Sequence, residues 1–274
     1  MPTYLSPGIY TRETDFSFYV KQISTSSAAM VGVAEKGPIN KPVLVTSWEQ
    51  FINRFGSYIN ESYLAYAARA FFDNGGSVLY VTRIAHLTDP TDRDTLTALK
   101  SSIVLQNREA TPADALRIEA VNEGVWGDRL SVSIEDGSLD PANHFNLVVR
   151  HKGDVVEVFK DLSMDETLPN HVELAINDRS DFILVQDLAA ATGTPGDRPA
   201  LGVFTLSGGD NGLTDLADAD FIGDPSQHTG LYGFDEIDAL NLLMVPGVTT
   251  VPVINAGIAY AEGRKDLLFI ADTP

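Results

Sequence analysis

Ala28-Ala29-Met30-Val31-Gly32-Val33-Ala34 is a run of small and apolar residues that closes on the turn Lys36-Gly37-Pro38. Outward from it, the β-branched run Val43-Leu44-Val45-Thr46 leads into two helix patterns and then the apolar strand Val78-Leu79-Tyr80-Val81. In the first helix pattern Ser47 and Gln50 form a capping box, the Ser47 hydroxyl accepting from the third helical N–H and Gln50 reaching back. Phe51, Ile52 and Phe55 make one apolar face, and Gly56 stops the helix. In the second, over about 62–73, Leu64, Ala67, Ala68 and Phe71 fall at helical spacing before the stop Asn74-Gly75-Gly76. The aromatic stripe Tyr63, Tyr66, Phe71 and Phe72 reads as core. Strand period gives way to helix period and back, with turn residues at each switch. That is the pattern of an α/β unit whose strands are covered on both faces. Gly75-Gly76 follows a helix and precedes a strand, the reverse of the order a dinucleotide site needs, so no phosphate loop is read there.

A chain of 274 residues, 44% hydrophobic and 21% charged, holds one large or two ordinary domains with a sizeable core. Its 38 acids against 19 bases give a formal charge of −19, which argues against nucleic acid or an anionic membrane as main partner, since either would be repelled. The surplus serves solubility, or repulsion between packed copies, or a basic partner. Cysteine is absent, so there is no disulfide framework, thiolate nucleophile or cysteine-held zinc. No signal-peptide pattern opens the chain and no apolar run is long enough to span a bilayer, which reads as cytoplasmic at synthesis.

Residues 1–23 carry a Ser6-Pro7-Gly8 turn, the short β-prone run Ile9-Tyr10-Thr11, and polar residues alternating with Phe16, Phe18 and Val20. Such a segment is either an edge strand of its own sheet or an arm that adds a strand to another copy. After Arg83 the texture changes at the charged, turn-rich Thr88-Asp89-Pro90-Thr91-Asp92-Arg93-Asp94. Short alternating strands follow around Leu116, Leu130, Phe145, Val155 and Phe182, with Lys152-Gly153-Asp154 as a hairpin turn and a helix-like piece over 170–177. They read as a β-rich domain inserted into the α/β core. A Gly/Pro-rich connector over 189–202 returns the chain to core texture. There the apolar runs at 240–247 and 267–274 flank a helical pattern over 251–265, a βαβ unit with parallel strands. The fold class is therefore α/β: a mixed core sheet flanked by helices, with an inserted β-rich domain and an extended N-terminal arm. The boundaries fall at 1–23 for the arm, 24–87 and 203–274 for the two parts of the core, and 88–202 for the insertion.

No catalytic, cofactor-binding or metal site emerges. Pro246-Gly247 and Asp272 sit at the ends of adjacent parallel strands, where open α/β sheets bind ligands, but no nucleophile with a base accompanies them. His86, His144, His151, His171 and His228 lie in or beside loops without HxH or HExxH spacing, and read as solvated surface groups. Asp210, Asp215, Asp218, Asp220 and Asp224 make an acidic loop that lacks the glycine and final glutamate of a calcium loop. It reads as solvated.

Tyr4-Leu5-Ser6-Pro7-Gly8-Ile9-Tyr10, Thr25-Ser26, Gly32 through Pro42, Thr46-Ser47 and Phe51…Phe55-Gly56 together resemble the tail sheath proteins of contractile phages, a family that includes the sheaths of R-type bacteriocins and related injection particles. Phe71-Phe72-Asp73-Asn74-Gly75-Gly76, the Gly-x-Trp-Gly turn at Gly124-Val125-Trp126-Gly127, and Leu206-Ser207-Gly208-Gly209 extend the likeness, with Trp126 as a packing anchor. The resemblance implies a structural subunit, not an enzyme, that polymerises around an inner tail tube and contracts to drive it through the target envelope. It implies no cofactor. Implied partners are further copies of itself, the inner tube protein, and baseplate and tail-terminator proteins, with neither nucleic acid nor membrane. The implied location is the virion tail, after assembly in the host bacterial cytoplasm. It also favours the arm over an edge strand, with Tyr4, Pro7, Gly8, Ile9 and Tyr10 as its subunit-interface residues.

Sheath proteins continue past the Asp272-Thr273-Pro274 position into a C-terminal domain, so the resemblance implies that this sequence is a fragment or part of a longer product. Two other classes remain open at this point. One is a baseplate or tail-terminator ring protein of the same fold; the other is an α/β hydrolase-type enzyme working at the strand ends near Asp272.

Overall fold

A computed structural model describes residues 27–189 and 197–273; the arm residues Tyr4, Pro7, Gly8, Ile9 and Tyr10 lie outside them. In chain order the first elements are β1 (Ser27–Gly32), β2 (Val43–Val45), α1 (Trp48–Phe55), α2 (Leu64–Asp73) and β3 (Val78–Arg83). Then come β4 (Ser102–Gln106), β5 (Asp114–Ala120), a 3-10 turn (Val125–Arg129), β6 (Leu130–Asp136), β7 (Phe145–His151), β8 (Asp154–Leu162), α3 (Val172–Ile176) and β9 (Ile183–Asp187). The chain ends on β10 (Gly202–Thr205), α4 (Asp218–Ile222), a second 3-10 turn (Gly230–Phe234), β11 (Leu242–Met244), α5 (Val251–Arg264) and β12 (Leu268–Ile270).

The core sheet runs β12-β11-β1-β3-β2, parallel except for the edge strand β2. All of β1 is buried, because its two faces meet two different layers. Ala28 and Met30 face Phe51, Phe55, Leu64 and Ala68 of α1 and α2. Ala29 and Val31 face Val253 and Tyr260 of α5 with Leu231 and Phe234 of the second 3-10 turn. A strand covered on both sides has no solvent face to mark with polar residues, so its sequence is continuously apolar. At its start the Ser27 hydroxyl bonds the Ala239 carbonyl at 2.6 Å, which satisfies a buried polar group.

The remaining strands form two antiparallel sheets, β10-β6-β7-β8 and β4-β5-β9. They share one core, in which Leu116 and Ile118 meet Val132, Ile134, Leu147 and Val149, with Val172 and Ile176 of α3 and Trp126 completing it. Lys152 and Gly153 both have positive φ, 55° and 96°, as the two-residue turn joining β7 to β8 requires.

Several details depart from the sequence reading. Ser47 caps α1 by accepting from the Gln50 N–H at 3.2 Å, but Gln50 reaches back to the Thr46 N–H at 2.9 Å, one residue beyond its expected target. The strand β4 was not among those expected, although Ile103-Val104-Leu105 is a β-prone run. β10 pairs with β6, so hydrogen bonding to the β-rich part runs through Thr205, past the boundary expected at 202.

Trp126 is 1% exposed and donates its indole N–H to the Glu123 carbonyl at 3.2 Å. Trp126→Ala is expected to cost about 3–5 kcal/mol, measured as a shift in urea midpoint with unchanged slope.

Candidate functional site

Where the inserted strands meet the core sheet, one buried cation gathers the chain. Arg83, at the end of β3, is fully buried. Its Nη1 donates to the Gly37 carbonyl and to the Glu123 carbonyl, both at 2.9 Å. Burial pushes its pKa down to about 10, opposed by the Glu123 charge, so it stays cationic at neutral pH. Beside it, Arg129 Nη1 meets Glu35 Oε1 at 2.8 Å, and the other Glu35 oxygen accepts from the Ser57 N–H at 2.9 Å. Gly124 packs against the Glu35 carbonyl with φ of 124°, where a Cβ would lie 3.0 Å from that oxygen. Only glycine suits both demands.

Among the described residues, the β12 edge and one face of α2 expose apolar and aromatic side chains. Leu268 donates to the Asn241 carbonyl at 2.8 Å, so the backbone groups of Leu267 and Phe269 point away from β11. Among the described residues no strand pairs them, since β12 is the sheet edge. Leu268 is 60% and Ile270 42% exposed, and Val251 and Ile258 of neighbouring α5 are exposed too. An apolar strand of a parallel sheet is normally covered on both faces, and among the described residues this one is not.

The second surface is aromatic. Tyr63 and Tyr66, read from the sequence as core, are 66% and 54% exposed, and α2 buries Leu64, Ala65 and Ala68 instead. Leu64 packs under Gly32 of β1, its Cβ 3.1 Å from where a Cβ on that glycine would lie, and this sets which face of α2 points inward. The exposed rings continue one another: Tyr63 to Tyr66 at 6.3 Å, Tyr66 to Tyr58 at 4.5 Å, Tyr58 to Trp48 at 5.4 Å. The Arg69 guanidinium lies 5.4 Å from the Trp48 ring centre. Tyr, Trp and Arg are the residues that dominate protein interfaces.

The strand ends carry structure. Asp272 Oδ2 accepts the Gly247 N–H at 2.6 Å, which ties the two strand ends together and engages the one carboxylate an enzyme reading would need. The histidines are not all solvated. His171 is buried with Nε2 3.1 Å from Asp187, and His86 Nδ1 lies 3.0 Å from Asp220. Nδ1 of His144 and Nε2 of His151 are buried without partners among the described residues, and only His228 is half-exposed. Asp220 is likewise buried, accepting from the Leu87 and Ala217 N–H groups. Both pairings join residues 16 and 134 positions apart, a separation that no local pattern reveals. Among the described residues no three or more His, Cys, Asp or Glu side chains are grouped as a metal site, and no helix is long and apolar enough to cross a membrane.

The architecture is that of an α/β building block with an inserted β-rich part and open apolar and aromatic faces. Residues 25–84 match the family model described as the tail sheath protein Gp18 domain III N-terminal region. The chain is 26% identical over 266 residues to the tail sheath protein of Vibrio phage KVP40, covering 95% of this chain and 32% of the relative. Among solved structures it resembles the sheath tail protein of Listeria innocua, with a TM-score of 0.60 at 12% identity over 88% of this chain and 45% of the other. The sheath tail protein of Desulfitobacterium hafniense gives a TM-score of 0.52 at 15% identity over 94% of this chain and 50% of the other. The chain thus spans about a third of the curated relative and half or less of each structure. Together these matches support the contractile tail sheath family for this chain.

His151 stands against Trp126 and Phe182, and burial, then Lys152 and Lys36, hold its pKa below the ordinary imidazole value. On acidification the unfolded chain takes up this proton first. The stability tied to neutral His151 is therefore present above the ordinary histidine pKa and lost as pH falls through the lower folded value. His151→Gln is expected to show a smaller fall in Tm between pH 7 and pH 5 than the parent chain, measured by calorimetry; equal falls would contradict the account.

Proposed function

We propose that this chain belongs to a structural subunit of a contractile tail sheath. The subunit polymerises around an inner tube and contracts to drive that tube through the target cell envelope. The observation that carries this reading is that the likenesses described above, from residues 25–84 to most of the fold, are to sheath proteins. The physical design suits it. Contraction needs a rigid body that can pack against its neighbours in two ways, together with connections that survive the change. The contacts around Arg83 tie the core sheet to the inserted strands, and the β12 edge offers unpaired backbone to a further strand, by β-augmentation. In this reading residues 1–23 are the arm that links subunits, with Tyr4, Pro7, Gly8, Ile9 and Tyr10 as its interface residues.

In this reading the boundaries at 23, 87 and 202 separate arm, core and insertion, with the hydrogen-bonded register of β10 spilling a few residues past the last. The partners are further copies, the tube protein, and the baseplate and terminator proteins at the two ends. The place of work is the virion tail, after assembly in the host cytoplasm. The role is structural rather than catalytic.

Electron microscopy of the natural gene product, with everything encoded beyond Pro274, tests this. Hollow striated cylinders are expected. Deleting residues 1–23 is expected to leave a folded monomer that forms none. Isolated rings from the intact product would favour a baseplate or terminator protein, and normal cylinders from the deletion would refute an essential arm.

A further inference from the structure

A cleft of about 780 Å³ lies between α1 and β2 on the core side and residues 121–122 and 180–182 on the inserted side. Its charge runs against the rest of the molecule. Lys36 and Arg54 line it against one acid, Asp181, in a chain whose formal charge is −19. The Lys36 Nζ sits 5.4 Å from the Trp126 ring centre and 5.3 Å from that of Phe182. The rings orient the ammonium but accept none of its hydrogens in the way an oxygen does. No hydrogen bond engages it among the described residues, and burial lowers its pKa. The side-chain amides of Asn53 and Asn122, on opposite walls, likewise make no hydrogen bond among the described residues.

The carboxylates nearby are already engaged. Glu35 is held by Arg129 and the Ser57 N–H, and Glu157 by the Ser180 hydroxyl and the Asp181 N–H. Asp181 meets Arg54 only at 3.7 Å, with both side chains largely exposed, a loose contact that a stronger anion can displace. One wall is Leu44 of β2, the other edge of the core sheet, so unpaired backbone borders the cleft. Leu44 is itself exposed, and with Pro38 and Val121 it adds apolar surface. A small inorganic anion uses none of that wall; an extended chain uses all of it.

We propose that this cleft binds an acidic peptide segment of a protein partner, laid along the β2 edge with a carboxylate on Lys36 and its neighbours on Asn53 and Asn122. Charge complementarity selects the occupant, because a basic or neutral segment would leave the ammonium unpaired. The proposal rests on the cleft's own donors and not on the sheath reading. Cylinders in the microscope without peptide binding would sink it alone.

The test is calorimetric titration of the whole chain with hexaglutamate, with hexaglutamine and inorganic phosphate as comparisons, at low and high salt. Saturable hexaglutamate binding that weakens with salt is expected, and hexaglutamine should not bind. Lys36→Met keeps the apolar stem on the two rings and should weaken binding about tenfold or more, as loss of a charge-assisted hydrogen bond does. Asn122→Ala, a change on a half-buried loop, should weaken it less while leaving Tm unchanged. Equal affinity for phosphate and hexaglutamate would mean an adventitious ion only. Undiminished binding to both variants, or none to the parent chain, would also overturn the proposal.

Discussion

A single guanidinium, that of Arg83, joins the parts of this molecule. It leaves the end of β3, is fully buried, and bonds the carbonyls of Gly37 and Glu123 at once. Removing a cation from water is costly, and two of its nitrogens, Nε and Nη2, have no partner among the described residues. The two carbonyls belong to segments that the Arg129–Glu35 ion pair and the Lys36–Trp126 contact also hold together. Gly37 closes the turn after β1, and Glu123 opens the turn into β6. One side chain therefore ties where the core sheet ends to where the inserted strands begin.

From that point the architecture follows in both directions. On the core side, β1 lies between two helical layers and must be apolar throughout, which orders the neighbouring strands around it. On the inserted side, Trp126 sits under the Lys36 ammonium and beside His151, so the junction is packed as well as bonded. What the block does not bury is equally informative. The β12 edge with the outside of α5, the tyrosines of α2, and the cleft beside β2 all present side chains to the outside.

The core was legible in the sequence because its cues are local. The switch of period between β1, α1, α2 and β3, the glycine stops, and the βαβ spacing of β11, α5 and β12 all show within a few residues of one another. The Lys152-Gly153 turn was legible for the same reason. The misreadings share an opposite cause. Tyr63 and Tyr66 fall at helical spacing with Phe71 and Phe72, and periodicity alone does not say which face of α2 turns inward; Leu64 seated under Gly32 decides that. His171 and His86 look like loop histidines until tertiary contact supplies Asp187 and Asp220. Gln50 finds Thr46 rather than its own cap because both the N–H and the hydroxyl of Thr46 lie within reach. Arg83 itself carried no signal, since nothing in a strand-ending arginine announces two carbonyls 46 and 40 positions away.

The central claim is that this junction makes one body of the core sheet and the inserted strands. Hydrogen exchange read by mass spectrometry across a urea series, on the unaltered chain, tests it most directly. The account predicts that peptides from β3 and β7 lose protection at the same urea concentration, in one cooperative transition. Loss of protection in β7 while β3 stays protected would show two bodies joined by a hinge and would contradict it.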